Sequence, residues 1–189
     1  MKPQFGGSYG GRGFRNAVVG LGDGRFLEIM GPEPEGWDKD DHLLPPQPEI
    51  PKAPPPLQIT PLDWMIVTQD LSALRSKLQR RGFDVPPVFG RDSFIGPWPD
   101  EWSSAWDSFQ VYDISSEVSP YLIQWNRGTR LPSRNAPRGC TLHRLVIRAP
   151  QTTKLRQLVT ILRLGAHVAH GAKARLAVTL NCPKGRISF

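Results

Sequence analysis

Apolar residues recur at helical spacing after a short β-rich run within residues 64–85. The run 64–67 has the composition of a strand, Asp70 offers a side chain that can start a helix, and Gly82 offers a stop. The apolar face of the predicted helix is Leu71, Leu74 and Leu78. The pattern therefore predicts one strand followed by one short amphipathic helix.

The same plan returns in residues 142–168. Residues 145–147 predict a strand, Thr152 or Thr153 opens a helix, and Gly165 closes it. The apolar face of this second helix is Leu155, Leu158, Val159 and Leu162. Self-similarity of this kind indicates a repeated structural unit.

A predicted hairpin follows each strand–helix pair, the first from residues 109–114 and 121–125, the second from residues 175–180 and 185–189. Near the N-terminus an Asp-Gly turn at residues 23–24 joins two apolar runs, which predicts a hairpin with no preceding helix. We therefore predict an α+β protein built from repeated βαβββ units, with an incomplete N-terminal unit.

These predictions divide the chain into six segments. They are a flexible Gly-rich N-terminus (1–13), a partial first unit (14–44), a Pro-rich linker (45–61), a second unit (62–126), a second linker (127–139) and a third unit (140–189). Eight prolines in residues 45–61 favour an extended spacer. Because a lone hairpin leaves an open sheet edge, we expect strand exchange in a homodimer or a chain start further upstream.

Composition restricts the class of protein. A chain of 189 residues suits one domain or a few small units that share a core, and 20 prolines with 18 glycines are too many for a helical bundle. The sequence contains neither an apolar run of membrane-spanning length nor a signal segment, so we expect a cytoplasmic protein without membrane association. Cys140 and Cys182 form no metal-binding motif, and we expect two free thiols.

The net charge of +7 is distributed unevenly along the chain. Residues 118–189 contain 13 Lys and Arg and no Asp or Glu, whereas residues 1–117 have a net charge of −6. A block of this kind attracts an anionic partner or is neutralised by the acidic half of the same chain. No zinc-finger spacing, basic heptad or aromatic RNA-binding motif accompanies it, so the sequence motifs do not favour nucleic acid.

Three runs of sequence resemble the glyoxalase-like branch of the vicinal-oxygen-chelate superfamily. They are Asn16-Ala-Val-Val-Gly-Leu-Gly-Asp-Gly-Arg-Phe-Leu-Glu-Ile-Met30, Trp64-Met-Ile-Val-Thr-Gln-Asp-Leu71 and Tyr121-Leu-Ile-Gln-Trp125. The resemblance covers residues 11–126, and the third unit fits it more loosely. It implies a fold in which paired units curl into a half-open barrel around a cleft.

In metal-dependent members, the resemblance implies an ion held by side chains from the first and last strands of two paired units. The matching positions here are Glu28, Trp64 and Gln124, and the fourth falls on the strand that the first unit lacks. An indole only donates hydrogen bonds and an amide oxygen is a weak ligand, so the set for a divalent metal ion is incomplete. We expect no metal cofactor.

The leading expectation is a protein that binds a small organic molecule in a cleft between the first and second units, lined by Glu28, Trp64 and Gln124. The sequence assigns no catalytic residue. Two alternatives stay open: a metal-dependent lyase or dioxygenase with ligands completed by a second subunit, and an anion-binding module that uses the basic C-terminal third. His143 matches the position of Trp64 in the third unit, and we expect a structural histidine there because Phe189 stands where Glu28 would.

Overall fold

The structure is a computed structural model that describes residues 2–9, 14–32, 59–88, 106–129 and 131–189. The described residues form three separate sheets and two α-helices. Most of the Pro-rich linker 45–61, and the part of the first unit beyond residue 32, lie outside the described residues.

The first sheet is antiparallel, with the strand order β1-β2-β3. Its strands are β1 (Gln4–Tyr9), β2 (Phe14–Gly22) and β3 (Arg25–Pro32). The predicted N-terminal hairpin is confirmed, and Asp23 and Gly24 in its turn both have positive φ angles, as the tight turns of hairpins require. β1 lies in the Gly-rich stretch 1–13, where no alternating pattern in the sequence indicated a strand. Its pairing with β2 is made by main-chain groups, which do not depend on such a pattern.

The second sheet has the order β4-β6-β5 and belongs to the second segment, residues 59–88 and 106–129. Its strands are β4 (Met65–Val67), β5 (Trp106–Phe109) and β6 (Tyr121–Trp125), and α1 (Leu71–Arg80) follows β4. β6 pairs in parallel with β4 and antiparallel with β5. As predicted, Asp70 caps α1, its side chain accepting a hydrogen bond of 2.8 Å from the Ala73 amide, and Gly82 follows with a φ of 77°.

The third sheet has the order β10-β9-β7-β8 and belongs to the third segment, residues 131–189. Its elements are β7 (Thr141–Ala149), α2 (Thr153–Ile161), β8 (Ala166–His170), β9 (Arg175–Cys182) and β10 (Gly185–Ser188). The predicted β9–β10 hairpin is confirmed. At the end of α2, Arg163 and not the predicted Gly165 takes the left-handed conformation, with a φ of 52°.

The structure confirms a mixed α+β protein, but it does not confirm repeated βαβββ units. The third segment follows the order strand, helix and three strands, whereas the described part of the second segment shows strand, helix and two strands. The pairing also differs, because β7 pairs in parallel with the strand that directly follows its helix, while β4 pairs in parallel with β6, which comes after β5. The described sheets form no closed barrel.

The second and third segments share one hydrophobic core. Lysine side chains link the two helical regions: Lys77 Nζ donates to the Ile161 carbonyl at 3.2 Å, and Lys154 Nζ donates to the Gly82 carbonyl. The largest fully buried members of this core are Leu78, Phe109, Leu122, Ile147, Leu155 and Leu158. Burial of this set holds the second sheet at a fixed position relative to the third.

A smaller cluster joins the first sheet to the third. Val19 and Leu21 of β2 pack with Cys140 and Leu180. The Gly20 amide donates to the Pro137 carbonyl at 2.9 Å, and a Cβ at Gly20 would lie 3.3 Å from that oxygen, so glycine permits the close approach. The main described contacts of the hairpin are thus with the third segment and the linker before it, whereas the sequence predicted that it faces the second unit.

Cys140 and Cys182 form a disulfide bond, so the expectation of two free thiols is wrong. Thr141 and Asn181 are partners in the β7–β9 ladder, which places the cysteines that flank them side by side. A separation of 42 residues hides this proximity in the sequence. Neither α1 nor α2 has the length and apolarity to cross a bilayer, and the described residues hold no other helix that does.

Candidate functional site

Glu28 lies in the first sheet, half-buried on β3. Its Oε1 accepts a hydrogen bond from Nδ2 of Asn16, a buried residue on the neighbouring strand β2. A buried amide without a partner would be costly, so this contact stabilises the side-chain positions of both residues. Glu28 therefore has a polar partner within its own sheet.

Trp64 precedes β4, and its ring packs against the core that the second and third segments share. Its Nε1 donates to the Val118 carbonyl at 3.0 Å, and its backbone amide donates to Asp63 Oδ1 at 2.7 Å. The indole N–H is thus used to hold the loop before β6. A buried indole normally finds such a partner, and here the partner is 54 residues away in the sequence.

Gln124 lies on β6 and serves as an acceptor for α1. Its Oε1 accepts a hydrogen bond of 2.7 Å from the backbone amide of Leu71, the first residue of the helix. The first amides of a helix have no acceptor within the helix, so Gln124 supplies one of the missing partners. The amide oxygen that a metal ion would need is already occupied.

The structure places Trp64 and Gln124 on the second sheet, Trp64 just before β4 and Gln124 near the end of β6, and it places Glu28 in the first sheet. One donor-only indole, one amide oxygen bound to a helix N–H and one carboxylate bound to an asparagine do not fit a divalent ion. Elsewhere in the described ranges, no group of three or more His, Cys, Asp or Glu side chains is placed to hold a metal. That these three residues line one cleft stays a prediction.

A surface that sequence reasoning missed lies on the opposite side of the second sheet. Ile66 and Leu122 pack into the shared core, so their neighbours along β4 and β6 point away from it. We call this side the open face, and its members are Met65, Val67, Tyr121, Ile123 and Trp125. Met65, Val67 and Tyr121 are exposed by 48%, 52% and 37%, whereas Ile123 on the central strand is only 1% exposed. The accessible part of the open face is therefore its β4 edge and the start of β6.

Two tryptophans close one end of the open face. Trp106 on β5 is the cross-strand partner of Trp125, and their ring centroids lie 5.4 Å apart in an edge-to-face arrangement. Both rings are half-buried. From Tyr121 to Trp125 the strand spans about 13 Å at the usual rise of about 3.3 Å per residue.

Asp63 and Tyr121 stand at the other end of the open face, where β4 and β6 begin. The residue Asp63 is exposed as a whole, but desolvation of its carboxyl group raises its pKa to about 7, against a smaller opposing effect of the Trp64 amide hydrogen bond. Burial, and after it the charge of Asp63, raises the pKa of the Tyr121 hydroxyl. A carboxyl group that titrates near neutral pH can donate or accept a proton under ordinary conditions.

The open face had a signal in the sequence. Residues 64–67 are apolar at every position, whereas a strand with one face in water alternates apolar with polar side chains. One set, Trp64 and Ile66, faces the core, and the other set, Met65 and Val67, has no core to enter. Exposed apolar patches on a folded protein are typical of sites for ligands or partners.

A family model described as a glyoxalase-like domain matches residues 1–162, which is most of the chain. No curated protein and no solved structure matches the chain.

Proposed function

Because this chain belongs to the glyoxalase-like domain family, we propose that it binds a small, largely apolar organic molecule against the open face of its second sheet. The observation that supports this most is the exposure of Met65, Val67 and Tyr121 on one side of β4 and β6. Ligand sites in proteins are lined mainly by apolar and aromatic side chains with a few polar groups at fixed positions. The open face and its two ends have this composition.

The polar end of the face gives the ligand an orientation. The apolar body of the molecule contacts Met65, Val67 and the ring of Tyr121. Its polar group lies at the Asp63–Tyr121 end, where the carboxyl group is a donor when protonated and an acceptor when ionised. A hydroxyl group both donates and accepts and therefore satisfies both forms, so the proposed ligand carries a hydroxyl group.

Trp64 and Gln124 act as positioning residues in this proposal. Trp64 ties the start of β4 to the loop at Val118, and Gln124 ties β6 to the start of α1. Both lie on the core side of the second sheet, directly behind the open face. A cleft shared with Glu28 remains a separate proposal, and a ligand bound there would contact the first sheet as well.

The test uses N-phenyl-1-naphthylamine, a neutral aromatic probe whose fluorescence rises in an apolar site. We expect saturable binding to the wild type and an affinity about tenfold lower in Tyr121→Ala, because about 1.4 kcal/mol of apolar contact is lost. The matched control is Tyr112→Ala, which removes an exposed tyrosine from a loop. Equal affinities in the two variants, or no saturable binding to the wild type, would refute the proposal.

A further inference from the structure

Arginines collect on the outer side of the third sheet. Leu145, Ile147, Val168 and Leu176 pack into the shared core, so the residues beside them in β7, β8 and β9 point to the opposite side. We call this side the basic face. Its charged or titratable members are Arg144, Arg148, Arg175, Arg186, His143 and His167.

The register of the strands fixes the spacing of these side chains. Arg148 and Arg175 are direct partners in the β7–β9 ladder. Arg144 lies on β7 about 13 Å from Arg148, at about 3.3 Å per residue. On β10, Arg186 Nε donates to Asn181 Oδ1 at 3.0 Å, and Asn181 Nδ2 lies 3.4 Å from His143 Nδ1. The face therefore presents guanidinium groups on three of the four strands, with amide and imidazole groups between them.

The third segment has no acidic side chain of its own to neutralise this charge. Residues 118–189 contain no Asp or Glu. Among the described residues, the ion pairs join Arg25 to Asp23 and Lys154 to Asp113, away from the basic face. Like charges directly opposite each other in a ladder are destabilising, so the fold retains a repulsive Arg148–Arg175 pair. A bound anion would relieve that repulsion.

We propose that the basic face binds double-stranded DNA through its phosphate backbone. An arginine side chain presents a planar set of donors that suits phosphate oxygens, and several arginines spread over an open sheet suit a polymer better than an enclosed small ligand. No Phe, Tyr or Trp side chain lies among the described residues of this face, so the large rings on which single-strand binders stack bases are missing. Contacts to phosphates alone give binding without base specificity.

The sequence motifs did not favour nucleic acid because the arginines of this surface are not arranged in a contiguous sequence motif. Its arginines come from positions 144, 148, 175 and 186, and only the strand order brings them to one side. The proposal concerns a different sheet from the open face, so it stands or falls independently of the small-molecule proposal.

The test compares two triple variants of equal net charge by fluorescence anisotropy with a labelled duplex of about 20 base pairs. The first is Arg144→Gln/Arg148→Gln/Arg175→Gln. The control is Arg80→Gln/Arg81→Gln/Arg156→Gln, which removes three exposed arginines at the helices. We expect the first variant to bind at least about tenfold more weakly in 50 mM salt, and its slope of log K against log salt to fall by about 2.7, since each phosphate contact contributes about 0.9.

Three results would overturn the proposal. One is an equal loss in both triple variants, which would indicate a general effect of net charge. Another is no binding of the duplex by the wild type in 50 mM salt. The third is displacement of the duplex by polyglutamate at equal charge concentration, which would indicate an acidic polypeptide as the partner. Should the first triple variant fail to fold, Arg144→Gln alone is expected to lower the slope by about 0.9.

Discussion

At the scale of the residue, Arg163 occupies a backbone conformation that suits glycine. Arg163 lies just after the end of α2 and has a φ of 52°. For a residue with a Cβ atom, this conformation lowers the stability by about 1–2 kcal/mol. We predict that Arg163→Gly raises the free energy of unfolding by about 1 kcal/mol, measured by urea denaturation. Gly82→Ala at the end of α1, where φ is 77°, should lower it by a similar amount. A destabilised Arg163→Gly variant would contradict this assignment.

Asp63 gives the stability of the protein a pH dependence. Its pKa is about 7 in the folded state and about 3.9 in the unfolded chain, so the folded state holds the extra proton between pH 4 and 7. Its contribution to stability is therefore full below pH 4 and is lost as the pH rises to 7. We predict that the difference in Tm between Asp63→Asn and the wild type increases over this range and is constant above it. A difference that stays the same at pH 4.5, 6 and 8 would show that the carboxyl group is not desolvated.

Side-chain burial in the helices was predictable, whereas the hydrogen bonds of the candidate residues were not. Leu71, Leu78, Leu155 and Leu158 are buried, as their helical spacing predicted. Such spacing follows from the helix alone. The partners of Trp64 and Gln124 are 54 and 53 residues away, so they depend on how the strands pair.

At the scale of the element, the disulfide ties both ends of the third segment and closes a loop of 42 residues. A crosslink over that length restricts the unfolded chain and stabilises the fold by about 2–4 kcal/mol. We predict that a reducing agent lowers the urea midpoint of the wild type. The double variant Cys140→Ala/Cys182→Ala should be less stable than the oxidised wild type and insensitive to the reducing agent, with a midpoint close to that of the reduced wild type. The prediction fails if reduction leaves the wild-type midpoint unchanged.

Elements defined by local signals were predicted, and elements defined by long-range pairing were not. The Asp-Gly turn and the caps of α1 act within a few residues, and both were found in place. The parallel pairing of β4 with β6 joins residues 56 positions apart, as Met65 pairs with Tyr121, and no local pattern encodes it. For the same reason, the repeat that we predicted from the helices and hairpins is not found in the strand pairing, which differs between the second and third segments.

At the scale of the whole molecule, the fold presents two outer faces of opposite chemistry. The second sheet exposes apolar and aromatic side chains, and the third exposes arginines, while the core between these sheets holds both in place. The sequence predicted the charge of the C-terminal third but not its position on one side of a sheet. Family membership was predictable from three short runs, whereas the open face required the strand order.

Two expectations about the molecule in the cell stay predictions. Disulfides persist in oxidising compartments and are rare in the cytosol, so the bond between Cys140 and Cys182 argues against the expected cytoplasmic location. The expected homodimer followed from an unpaired edge of the N-terminal hairpin. In the structure, β2 pairs with β1 on one side and with β3 on the other, so that strand itself needs no exchange.

A map of backbone amide chemical shifts during titration with N-phenyl-1-naphthylamine locates the bound molecule on the fold. We expect the shifts to concentrate at residues 63–67 and 121–125, the strands that carry the open face and its polar end. Shifts concentrated instead on β2 and β3 around Glu28 would contradict this expectation, because the ligand would then occupy the first sheet.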